Sequence, residues 1–105
     1  MNKKDKLQIT WDDLNEEEYT FDKVDSYIIS DYLTDCYVRG ELPLHLHKLY
    51  LKFYMYKLDL SQDSVIKIPY SQVQILAEFL QGRVLHSKRL EECTFNMIDW
   101  LINNL

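Results

Sequence analysis

Glycine and proline are scarce in this sequence, two of each among 105 residues. So few chain breakers exclude a collagen-like repeat, a low-complexity tract and a turn-rich all-β sandwich. Gly40 and Gly82 stand alone, which excludes a glycine-rich phosphate loop. Cysteine is equally rare. Cys36 and Cys93 have no CxxC or Cys/His neighbour at metal spacing. Both fall at apolar helical positions and read as buried thiols in a reducing compartment. No cofactor and no metal centre is expected from them. No run of about 18 apolar residues exists, so no membrane-spanning helix is expected. The first residues are basic but lack the apolar core of a secretory signal. An excess of positive charge is missing too. Twelve Lys and Arg face 17 Asp and Glu, for a net charge of -5. That balance excludes a strongly basic nucleic-acid coat. Together these absences predict a cytoplasmic protein.

What is present fits one small domain. Hydrophobic residues make up 47% of the chain, an ordinary globular share. Residues 1–6 read as a flexible tail and residues 7–105 as a single helical domain. Charge is unevenly spread. The stretch 7–47 holds all the acids from Asp12 to Glu41 against only Lys23 and Arg39, while 48–105 is close to neutral.

Periodicity supplies the elements. Leu7–Trp11 alternates like a short strand, and a helix start is expected near Asp12, with Glu16-Glu17-Glu18 readable as a solvated linker. A helix is predicted from Thr20 to Arg39 on the spacing of Phe21, Val24, Ile28, Tyr32 and Cys36, stopped by Gly40 and Pro43. A second is predicted from Leu44 to Leu60. Its Leu46, Leu49, Phe53, Tyr56 and Leu60 share one face, whereas Leu44, Leu51, Met55 and Leu58 share the opposite one. Such a helix is central in its domain or buried against a partner. Val65–Ile68 reads as a short edge strand ended by Pro69. Ser71 and Gln74 have capping-box spacing for a third helix with Val73, Leu76, Ala77 and Leu80 inside, ended by Gly82. Ser87 caps a fourth, with Leu90, Cys93, Met97, Trp100 and Leu101 inward and Phe95, Ile98 and Ile102 widening the apolar arc. The expected fold is mainly α, four helices in one domain with one or two short β-strands.

Catalytic constellations are not visible. His45 and His47 would point about 160° apart on a helix and cannot share a metal there; His86 is the only other histidine. No nucleophile elbow or Cys-His signature occurs, and the paired acids sit where burial cannot tune them. No enzymatic activity is expected.

Two binding readings remain. In the first, acids interleaved with tyrosines present charge and flat contact area to a basic cleft, with Glu18, Asp22, Asp31, Asp35, Tyr27 and Tyr37 as the contact set. Leu44, Leu51, Met55 and Leu58 would then serve self-association or a partner helix. This predicts a small acidic protein that modulates or inhibits a protein partner. An inhibitor of a nucleic-acid-handling enzyme, carried by a phage or mobile element, is one form of it. The size, acidity and Lys/Asn/Ile/Tyr usage resemble small regulatory proteins of phages and plasmids. The alternative is a dimeric helix-turn-helix or winged-helix regulator. There Gln72 and Gln74 would reach base edges of duplex DNA, and Arg83, Lys88 and Arg89 would touch phosphates. Neither reading calls for a small-molecule substrate.

Overall fold

The computed structural model describes residues 17–58 and 65–105. The expected tail, the alternating segment Leu7–Trp11, the helix start near Asp12 and the position of Leu60 lie outside the described residues. Within them the order is β1 (Glu18–Phe21), α1 (Lys23–Val38), a 3-10 turn (Leu44–Leu46), α2 (His47–Leu58), β2 (Ile66–Pro69), α3 (Tyr70–Gln81) and α4 (Lys88–Asn103). This is the mainly helical, four-helix architecture with short strands that the periodicity predicts. No helix among the described residues is long and apolar enough to cross a membrane.

The two strands form one antiparallel ladder, Phe21 opposite Ile66 and Tyr19 opposite Ile68. Side chains alternate across a strand, so these four point inward while Thr20 and Lys67 point out. Phe21 meets Phe53 of α2 edge-on at 5.2 Å, and Tyr19 meets Trp100 of α4 at 5.3 Å. The sheet thus ties the start of α1 to the helices on both sides.

The first helix begins later than the spacing predicts. Thr20 and Phe21 are drawn into β1 by their pairing with β2, and Asp22 becomes the N-cap. Its Oδ1 accepts from the Asp25 N–H at 2.8 Å. The buried face is also rotated by one residue. Ile29, Leu33 and Cys36 are buried with Ser26 and Ser30, whereas Val24 is exposed and Ile28 and Tyr32 are half-buried. Phe21 sets no phase for the helix because it is not part of it. At the other end, Gly40 adopts φ +71. Its N–H donates to Tyr37 O at 3.0 Å, and the Glu41 N–H donates to Cys36 O at 2.8 Å. This paired closure requires a left-handed residue, which glycine adopts without strain.

The segment after Pro43 enters as a 3-10 turn and becomes α-helical at His47. Leu46, Leu49, Phe53 and Tyr56 are buried, as their shared face predicts. The third helix departs from expectation at its start. Pro69, not Ser71, is the N-cap, with no side-chain cap bond, because β2 runs directly into the helix. The Tyr70 N–H instead donates to Glu17 O at 2.9 Å. Gly82 ends α3, and Ser87 caps α4 by accepting from the Leu90 N–H at 3.1 Å. Leu90, Cys93 and Met97 are buried, with Trp100 and Leu101 partly so. Helix α1 packs on α2, and α3 packs on α4.

Candidate interaction surface

The acidic side chains of α1 do not line up as one ridge. Most of them are engaged inside the molecule. Asp25 Oδ1 lies 2.9 Å from Arg89 Nη2, with Asp22 at 3.9 Å from the same nitrogen. Lys57 of α2 pairs with Asp31. Arg39 pairs with Asp35 at 2.9 Å, one turn away. Glu18 sits on the outer side of β1, remote from the rest. Tyr27 is tucked edge-on against Tyr56, and Tyr37 stacks on Tyr50 at 5.3 Å. The helix geometry separates these residues, and a cation from another element neutralises several of them.

The cations singled out for phosphate contact are drawn into the same pairs. Arg83 Nε donates to Tyr32 Oη at 2.6 Å, and Nη2 donates to Glu41. The guanidinium also lies over the Phe79 ring, 5.2 Å from its centroid. These partners hold its charge more firmly than an ordinary arginine's, while Arg83 keeps the Glu41 carboxyl below the usual range. Arg89 is likewise strengthened by its bond to Asp25. Lys88 is exposed at the start of α4. Gln72 and Gln74 do not share a face. Gln72 borders a groove of about 370 Å3 with His45, Lys48 and Lys52, whereas Gln74 borders a hollow against the end of α4.

The two histidines of the 45–47 stretch go to different neighbours. His45 faces the Lys48–Lys52 groove, while His47 donates from Nε2 to Leu42 O at 3.1 Å and meets Tyr37 edge-on. No group of three or more metal-capable side chains occurs among the described residues. Burial, reinforced by the nearby Asp25 charge, pushes the Cys93 thiol up to about 12, so it is not a thiolate at neutral pH. A cleft of about 680 Å3 runs between α1 and the turn before α4. Its Arg39, Asp35, Glu41 and Arg83 neutralise one another.

The outer face of α2 is different. Leu44 is 82% exposed, Leu51 54%, Met55 60% and Leu58 57%. Leu51, Met55 and Leu58 follow one another at four and three residues and make one ridge on α2, with Leu44 on the 3-10 turn before it and Lys48 and Lys52 exposed beside it. Helix α2 contains no acid. A second apolar stripe, which sequence reasoning folded into the core arc of α4, also lies outside. Phe95 and Ile102 are exposed and Ile98 half-buried, beside a shallow groove against α3. The signal was present in the sequence as the 3-4 spacing of these residues.

No family model, curated protein or solved structure matches the chain.

Proposed function

We propose that this protein is a non-enzymatic binding module that modulates or inhibits a macromolecular partner by docking through the outer face of α2. The observation that carries this reading is the ridge Leu44, Leu51, Met55 and Leu58. Three of these large apolar side chains stand in solvent on one face of α2, with Leu44 exposed on the 3-10 turn that leads into it, while the opposite face supplies Leu49, Phe53 and Tyr56 to the core. Contiguous exposed apolar area rimmed by charge marks a docking surface. The partner is a protein, and the setting is the cytoplasm. A regulatory role of the kind played by small phage and plasmid proteins fits the size and the charge. The internal pairing of Asp25, Asp31 and Asp35 favours the ridge over the acidic face as the principal contact.

The duplex-DNA reading has less support, since Arg83 and Arg89 are spent on carboxylates and Gln72 and Gln74 diverge. One experiment separates the two. The tagged chain is used to capture its partner from a lysate of the native host, in parallel with Leu51→Glu/Met55→Glu. A discrete protein retained by the wild type and lost by the variant supports the reading. Equal capture by both removes the ridge from the account. Steep, salt-sensitive binding of duplex DNA with no protein retained reverses it in favour of the regulator.

A further inference from the structure

The ridge on α2 has a counterpart on the same chain. On α4, Phe95 is 69% exposed and Ile102 60%, with half-buried Ile98 between them, and Leu105, just past the helix end, is 95% exposed. Phe95, Ile98 and Ile102 recur at three and four residues, the spacing of a knobs-into-holes seam. Leu51, Met55 and Leu58 have the same alternation. The α4 stripe differs in shape, because α3 runs beside it. Two hollows of about 160 and 210 Å3 open on either side of Ile98, with Gln81 of α3 bordering both. One surface is a ridge and the other a groove.

Their charges are opposite. The ridge is flanked by Lys48 and Lys52 on a helix without an acid. Glu91 of α4 and Glu78 of α3 border the two hollows, and both are exposed. The cations near the groove are Lys88, at the far end of α4, and Arg83, which is held by Glu41 and Tyr32. Ridge against ridge would set Lys48 and Lys52 against their own copies. Groove against groove would do the same for Glu78 and Glu91. Ridge into groove alone places unlike charges across the seam. Within one chain this cannot happen, since α2 packs on α1 while α4 packs on α3.

We infer that the occupant of the α2 ridge is the α3–α4 groove of a second copy of this chain, in a head-to-tail association. This deepens the docking reading above and rests on it. Such an interface is heterologous. Every copy has one ridge and one groove to offer, so the assembly closes as a ring or grows as an open chain. Control of the partner would then be tied to the protein's own concentration, because self-association covers the ridge.

Two variants test it, both altering only exposed side chains: Leu51→Glu/Met55→Glu on the ridge and Phe95→Glu/Ile102→Glu on the groove. Far-UV circular dichroism and thermal unfolding are expected to match the wild type. Light scattering at rising concentration should show oligomers for the wild type and the monomer mass for each variant alone. The equimolar mixture should give twice the monomer mass and nothing larger, because one intact ridge meets one intact groove. That rescue is peculiar to a heterologous interface. A wild type that stays monomeric at its solubility limit, a groove variant that still dimerises, or a mixture that stays monomeric overturns the inference. Should either variant unfold, Lys48→Glu/Lys52→Glu and Glu78→Lys/Glu91→Lys replace the pair: each alone should be monomeric, and their mixture should regain oligomers larger than a dimer, because both cross-pairings then set unlike charges together. The docking reading is judged separately by lysate capture. Loss of a captured protein with the ridge variant, beside a monomeric wild type, leaves that reading standing and sinks this one.

Discussion

Arg83 and Glu41, 42 residues apart in the chain, are joined through a guanidinium that also bonds Tyr32 and covers Phe79. One side chain thereby fastens the end of α3 to α1 and to the turn after it. Arg83→Ala should lower stability by roughly 1–2 kcal/mol, mostly through the lost Tyr32 bond and ring contact, since the ion pair itself is solvent-screened. Arg83→Lys should recover little, because an ammonium cannot serve both partners. The pH dependence follows from Glu41. Its carboxyl is held below the usual range, so its contribution is present above the ordinary carboxylate value and is lost as pH falls through the lowered one. Urea midpoints measured from neutral pH downward should therefore fall less steeply in Arg83→Ala than in the wild type. Parallel acid limbs would show that the pair does not matter.

Two serines on the inner face of α1 make opposite forecasts. Both are fully buried. Ser26 Oγ donates to Asp22 O at 2.8 Å, whereas Ser30 Oγ has no hydrogen-bond partner among the described residues. A buried hydroxyl left unsatisfied is destabilising by about 1–3 kcal/mol, and alanine is also the better helix former. Ser30→Ala should raise the urea midpoint by the equivalent of about 1 kcal/mol, and Ser26→Ala should not. Chemical denaturation of the two variants side by side checks this, and a lower midpoint for Ser30→Ala would refute it.

Alkaline pH should loosen the fold through two groups packed near each other. Burial pushes the Cys93 thiol and the Tyr19 phenol each up to about 12, with the Asp25 charge adding to both. Each folded value lies above the unfolded one, so the protonated form is favoured in the folded chain. Stability is complete below the unfolded values and declines as pH rises from about 8.5 towards the folded values. Cys93→Ala should flatten the first part of that decline. The check is the thermal midpoint measured across the alkaline range. Identical slopes for the two proteins would contradict the assignment.

The helices were legible because their apolar residues recur at three and four and because Gly40, Gly82 and Ser87 mark their ends. The shared face of Leu44, Leu51, Met55 and Leu58 was legible for the same reason, but its outward position was one of two alternatives, since a helix apolar on two sides is either central in its domain or covered by a partner. The phase of α1 was not legible. Its doublets, Ile28-Ile29 and Tyr32-Leu33, allow two inner faces one residue apart, and only the packing of β1, α2 and α4 chooses between them. Strand β1 was hidden since its Glu-rich approach reads as a solvated linker and its pairing partner lies far along the chain. The pairs Arg83–Glu41 and Arg89–Asp25 were equally hidden, because charge partners across tertiary distance leave no local pattern. The stripe Phe95, Ile98, Ile102 and Leu105 was ambiguous rather than hidden. Periodicity shows that residues share a face, not which face meets solvent.

The register that sets Phe21 opposite Ile66 also bears on how the chain is made. The two strands lie roughly 45 positions apart, a long-range closure beside the local packing of α1 on α2. During synthesis at about 5–20 residues per second, β1 leaves the ribosome some 2–9 s before its mate exists. For that interval Tyr19 and Phe21 have no strand to face, and Asp22 caps a helix whose floor is still missing. Until β2 emerges, whatever structure the nascent chain holds leaves the Tyr19–Phe21 edge without the strand that covers it in the finished fold.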